Sequence, residues 1–161
     1  MERRTQAQRS ANTQELLLEA TIDCLVERGF EGTSTPEICR RAGVSRGAQL
    51  HHYPTKVELL VAAVAYLCDR RHQEFRQLVK SRKSRTQRLD IAFEQLWDLY
   101  CGPTLTAWVE LVVAARTDPT LKEEMSGLSK RMEDDTEVTL KEYFGIADTV
   151  PAKAAVRMVL S

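Results

Sequence analysis

The chain has 161 residues, 43% of them apolar, and its 23 basic and 23 acidic residues balance to a formal net charge of zero. That length makes one domain of ordinary size or two small ones sharing a core. No apolar run is long enough to span a bilayer, no signal-peptide core follows the charged N-terminus, and the neutral total excludes a uniformly basic chain, so a cytoplasmic protein with at most a locally basic face is predicted.

Arg3, Arg4 and Arg9 form a basic arm ahead of the first predicted helix. Such arms reach phosphates or the minor groove, the alternative being a frayed, solvated terminus. From Leu16 to Val26 apolar residues recur at helical spacing, with Leu18, Ile22 and Leu25 on one face. Gly29 is expected to end this helix and Phe30 to fold back over a small core with Ile38 and Val44.

The stretch from Thr33 to Lys56, TSTPEICRRAGVSRGAQLHHYPTK, spells two short helices and a tight turn. Ser34 and Glu37 have capping-box spacing, Pro36 presets φ in the first turn, and Gly43 can take the left-handed conformation that stops the helix. Val44 plugs the corner, and Ser45 caps a second helix running from about Arg46 to Tyr53. Pro54 breaks it, after which Thr55 and Glu58 repeat the capping-box spacing and start a long helix with Val57, Leu60, Val64 and Leu67 on its core side. Helix, small-residue turn and helix make a helix-turn-helix unit, whose second helix presents its first residues to base edges in the major groove.

Those residues are Arg46, Gly47, Ala48 and Gln49. Arg46 has the fork geometry for guanine and Gln49 that for adenine, while Gly47 and Ala48 allow close approach to the groove floor or a thymine methyl. Thr33, Thr35, His52, Tyr53 and Lys56 sit at helix ends, where hydroxyls, ring N–H groups and an ammonium can meet phosphate oxygens. Taken singly, each is equally well a solvated side chain; the cap, turn and breaker spacing around them is what points to double-stranded DNA.

The run from Ala11 to Leu60 resembles the tetracycline-repressor-like (TetR) family of transcriptional regulators. The resemblance rests on Gly29, Phe30, Thr33, Ile38, Cys39, Ala42 to Ser45, Gly47, Tyr53, Pro54, Lys56, Glu58 and Leu59. It implies an all-α homodimer with an N-terminal domain, residues 1–54, that binds an operator. It further implies a C-terminal domain, residues 55–161, that dimerises and binds a small molecule releasing the DNA. One departure stands out: many members carry a tyrosine at the position of Leu50, where it touches phosphate. Leu50 is therefore expected to pack, leaving Gln49 the better contact to DNA.

Arg70, Arg71, Arg76, Lys80, Arg82, Lys83, Arg85 and Arg88 form a basic run about 30 Å along the long helix from the reader at 1.5 Å per residue, read as a solvated helix end and a loop at Ser81 and Ser84. Leu89, Phe93, Leu96, Trp97 and Tyr100 make an apolar stripe closed by Gly102 and Pro103. Leu105 to Arg116 is apolar almost all round, which predicts a buried helix, and its Glu110 is expected to meet a cation such as Arg116 or a polar cavity. Asp118 and Pro119 open a long helix with Leu121, Met125, Leu128, Met132, Leu140 and Phe144. Trp97, Tyr100, Cys101, Leu105, Trp108, Val109, Val112, Met125 and Met132 fall where the resembled family keeps its effector pocket, and they suit a largely apolar ligand; plain core is the other reading. A last helix begins at Pro151 and is unfinished at Ser161; because members of the resembled family usually dimerise through their last two long helices, the resemblance implies a C-terminally incomplete body with a weakened dimer, the alternative being a different mode of dimerisation.

Cys24, Cys39, Cys68 and Cys101 lie far apart in apolar helical patterns, as reduced core cysteines do. His51 and His52 diverge by about 100° on a helix and His72 is isolated, so His72 is expected on the surface and neither a metal site nor a cofactor is predicted. A helical carboxylate enzyme would need repeated Glu-x-x-His units, and only the Asp69–His72 spacing occurs, so no catalytic residue is predicted. The leading reading is a ligand-responsive repressor binding a palindromic operator as a dimer. The alternative is an architectural or protein-interaction module built on the same scaffold.

Overall fold

The computed structural model describes residues 5–145, apart from the side chains of Leu96 and Tyr100; Arg3, Arg4 and the helix expected from Pro151 lie outside them. The described residues form seven helices and no strand: α1 (Gln6–Gly32), α2 (Thr35–Ala42), α3 (Arg46–His52), α4 (Lys56–Lys80), α5 (Arg85–Cys101), α6 (Pro103–Ala114) and α7 (Pro119–Phe144). The chain is all-α, with a helix-turn-helix unit at its N-terminal end and a helical body after it.

α1 starts well before Leu16. Thr5 accepts the Gln8 N–H at 3.3 Å and the Gln8 side chain accepts the Thr5 N–H at 2.8 Å, a reciprocal capping box overlooked in the sequence. Arg9 therefore belongs to the helix and not to an arm before it. At Gly29 (φ 67°, ψ −176°) the ladder breaks, and Phe30 packs toward the body beside Trp108 and Leu111, not over Ile38 and Val44 as expected. At α2 the Ser34 hydroxyl makes no capping bond. Glu37, expected to complete that cap, is drawn away by Arg40 and Arg28, at 2.7 and 3.0 Å, and the Arg40 hydrogen bonds hold its carboxyl down at about 2. Gly43 (φ 65°, ψ 28°) stops α2 in the left-handed conformation, Ser45 caps the Ala48 N–H at 3.2 Å, and Thr55 caps the Glu58 N–H at 3.1 Å.

Two apolar clusters share α1 and α4. Leu59, Ala63 and Leu67, four residues apart along α4, face Leu17, Leu18, Ile22 and Ile38. The adjacent stripe of Leu60, Val64 and Cys68 faces Trp108, Leu111, Leu121 and Met125. Buried on two sides, α4 joins the reader to the body; the three reader helices alone would bury too little to be stable. Farther along, Phe75 stacks on Phe144 beside Val79 and Ile91, with ring centroids 6.4 Å apart.

Several expectations for the body are corrected. α6 is buried only along Thr104, Ala107, Trp108 and Leu111, while Val109 and Val113 on its other side are exposed. On α5 the stripe is uncovered: Phe93 and Trp97 are each 70% exposed. Cys24, Cys39 and Cys68 are buried free thiols, whereas Cys101 is exposed. His72 is half-buried, with Nε2 3.0 Å from the Thr139 hydroxyl, not a surface residue. Much of the basic run is paired: Arg70 with Glu19, Arg76 with Glu142, and Arg88 with the Tyr143 carbonyl.

Candidate nucleic-acid interface

α3 is seven residues long, and its two sides are set by helical spacing. Ala48, Gln49 and His52 turn toward the protein, while Arg46, Gly47, Leu50 and His51 turn to solvent. Gln49 is completely buried. Its amide nitrogen donates to the Tyr53 carbonyl, one of the carbonyls that the end of α3 before Pro54 leaves without a helix partner. Its amide oxygen accepts from Arg46 Nη1 at 2.6 Å. Both ends of the Gln49 amide are thus used inside the protein, and the residue expected to read adenine is a structural cap that steadies Arg46.

The other expected contacts divide. Arg46 and Gly47 are exposed, Ala48 half-exposed, and Thr35 half-exposed at the start of α2. His52 is half-buried, its ring 5.3 Å from that of His51 and 6.4 Å from that of Tyr53, and Tyr53 packs on the reader cluster, where burial pushes its hydroxyl pKa up. Thr33 is buried and its hydroxyl donates to the Gly29 carbonyl at 2.6 Å, so its side chain is not on offer to phosphate. Lys56 turns inward as well. Its Nζ donates to the Phe30 carbonyl at 3.1 Å and lies 4.4 Å from the Phe30 ring centroid, and burial lowers its pKa.

Leu50 and His51, which the sequence reading did not place on the outer side of α3, are exposed there. Leu50 was expected to pack, yet it is 43% exposed on the side of Arg46 and Gly47. His51, which diverges too far from His52 to share a metal with it, stands one turn beyond Gly47 on the outer side. The signal was present: with Ser45 as the cap, helical spacing brings 48, 49 and 52 together and leaves 46, 47, 50 and 51 opposite.

In the body, Trp108, Val112, Met125 and Met132 belong to one cluster, whereas Trp97, Cys101 and Val109 face outward and Leu105 is half-buried; Tyr100's side chain is outside the description. The expected pocket set is therefore split between core and surface. An open cleft of about 800 Å³ lies beside the α1 break, walled by Arg28, Gly29, Phe30, Glu110 and Arg116. Glu110 does not pair with Arg116; its Oε2 accepts the Phe30 N–H at 2.8 Å. Among the described residues no group of His, Cys, Asp and Glu is placed to hold a metal ion, and no helix is long and apolar enough to cross a membrane.

An all-α chain carrying a capped helix-turn-helix unit, joined by a long doubly buried helix to a helical body, has the architecture of helix-turn-helix DNA-binding proteins. The family model of the bacterial regulatory proteins of the tetR family matches residues 17–63. The chain is similar to the HTH-type transcriptional regulator CymR of Pseudomonas putida, 32% identical over 148 residues, covering 89% of this chain and 70% of that protein. It is also similar to an uncharacterized HTH-type transcriptional regulator of Mycobacterium bovis, 36% identical over 125 residues, covering 78% of this chain and 64% of that one. The chain thus spans roughly two thirds of the length of these relatives. The crystal structure of a transcriptional regulator from Rhodococcus sp. Rha1 matches with a TM-score of 0.65 at 29% identity, covering 91% of this chain and 77% of that one. The protein belongs to the TetR family of transcriptional regulators, a family of DNA-binding proteins and not of enzymes.

Proposed function

We propose that this protein is a cytoplasmic, effector-responsive repressor that binds a palindromic operator as a homodimer, with residues 1–54 as the reader and residues 55–161 as the effector-binding and dimerising body. The observation that carries the reading is the outer side of α3, where Arg46, Gly47, Leu50 and His51 are exposed together. Arg46, steadied by Gln49, keeps its remaining guanidinium donors for the N7 and O6 of guanine. Leu50 suits a thymine methyl and His51 a base acceptor or a phosphate, while Thr35 and His52 serve the backbone. A largely apolar effector would be taken up next to Trp108, Val112, Met125 and Met132, and it would favour a state in which paired recognition helices no longer match successive grooves.

Selection from a random duplex pool tests the reading. The expected product is an inverted repeat, bound more weakly as salt is raised. R46K removes the fork and should cost about tenfold at one base position in each half-site, with less effect elsewhere. No preferred sequence, or an R46K loss spread evenly over all positions, would instead favour the architectural alternative.

A further inference from the structure

We propose that Glu110 is the positioning residue by which the body holds the DNA-reading unit at a fixed angle, so that operator affinity depends on the state of α6. The proposal rests on the operator-binding reading above and names the point at which that binding is regulated.

Gly29 breaks the helix that carries it. Its φ of 67° with ψ of −176° is a combination that essentially only glycine adopts, and it takes the Phe30 N–H out of the helix ladder. A half-buried donor without a helix acceptor is costly to leave unpaired. Glu110, eighty residues later on α6, supplies the acceptor at 2.8 Å. A Cβ at position 29 would stand 2.7 Å from the same Oε2, so glycine is required both for the break and for the carboxylate's approach.

The other side of Phe30 is held from a different element. Its carbonyl accepts from Lys56 Nζ, at the first turn of α4, and from the Thr33 N–H at 3.3 Å, while the Thr33 hydroxyl closes on the Gly29 carbonyl. One residue is therefore gripped at its N–H by the body helix α6 and at its C=O by the connecting helix α4, and α2 begins five residues later at Thr35. The other directional bonds between reader and body, from Arg70 and Tyr66 to the Glu19 carboxylate, run to α4; toward α6 the remaining contacts among the described residues are apolar packing, which is non-directional and tolerates sliding. The charge-assisted bond from Glu110 is directional. A displacement of α6 against α4 must stretch it or drag the α1–α2 junction along, and α3 moves with that junction.

Because coupling is reciprocal, it can be read without knowing the effector: operator binding must be felt in α6. The full chain is used with the duplex selected by the wild type, and three quantities are compared in E110A and E110Q: the thermal melt, the operator Kd, and amide exchange of α6 with and without operator. E110A should melt cooperatively, bind the operator about tenfold more weakly, and lose the operator-induced slowing of exchange in α6. E110Q keeps an acceptor oxygen and should recover most of both effects. If E110A does not fold, E110D, which withdraws the carboxylate by one methylene, takes its place in the same comparison. Wild-type affinity in the truncated variant, an E110Q no better than E110A, or an α6 response to operator that survives the loss of the carboxylate would each overturn the proposal. Failure of the wild type to select any sequence would overturn the operator reading itself, and this coupling with it.

Discussion

Gln49→Ala separates the structural from the base-reading role of this residue. The buried amide makes two hydrogen bonds, one to the Tyr53 carbonyl and one from the Arg46 guanidinium. The first is a neutral bond worth about 1 kcal/mol, and its loss leaves a helix-end carbonyl beside Pro54 unpartnered. The second is charge-assisted, but Arg46 is exposed, so solvent holds its contribution to about 1 kcal/mol. Removing the buried stem adds about 0.8 kcal/mol per methylene, for a total near 3 kcal/mol. For a chain of this length that lowers Tm by roughly 6–12 °C. Calorimetric or circular-dichroism melts measure it, alongside binding to operators substituted base by base. Operator preference should weaken at the guanine assigned to Arg46, because Arg46 loses its support, and relax at no additional position. A Tm within about 1 °C of wild type, together with relaxed preference at a base pair other than the one assigned to Arg46, would refute the burial argument and restore Gln49 as a reader.

Burial holds the His72 imidazole below its ordinary 6.5, against the upward pull of Asp135 and with Arg76 adding to the depression and Asp69 opposing it. The unfolded chain then takes up the proton more readily than the folded one, so the stability from neutral His72 is complete above pH 6.5 and is lost as pH falls below it. The wild-type Tm should accordingly drop more between pH 7 and pH 5 than that of H72Q, and parallel pH profiles would refute this. Thiol labelling of the native protein should modify Cys101 quickly, while Cys24, Cys39 and Cys68 react only on unfolding, the last also because burial pushes its thiol up to about 12. A second fast thiol would contradict the packing.

What was legible in the sequence was local. Gly43, Ser45, Pro54 and Thr55 act through their own backbone torsions and the nearest N–H groups, so the reader unit could be drawn almost residue by residue. The Thr5–Gln8 box was equally local and was missed because no apolar periodicity follows it directly. Gln49 misled for a different reason. Residue type places an amide outside, whereas the helical register places position 49 inside, and register prevails when a carbonyl at the helix end can satisfy the buried donor. The α5 stripe shows the converse, since periodicity establishes that Leu89, Phe93 and Trp97 share a side but not that anything covers it.

Glu110 marks where local reading stops. A carboxylate in an apolar helix requires a partner, and that inference was sound; naming Arg116 was not, because a carboxylate is served as well by a backbone N–H as by a guanidinium. Backbone donors in helices are normally occupied and so are invisible to such reasoning. The Phe30 N–H is free of the ladder only because Gly29 breaks it, and that break, left alone, would expose an unsatisfied donor at the joint between reader and body. Gly29 therefore needs the carboxylate, and the carboxylate needs a residue without a Cβ to approach this closely. Each accounts for the other, and neither has its partner within reach of any periodicity, since the pair is formed across eighty residues by the packing of α6 on α1.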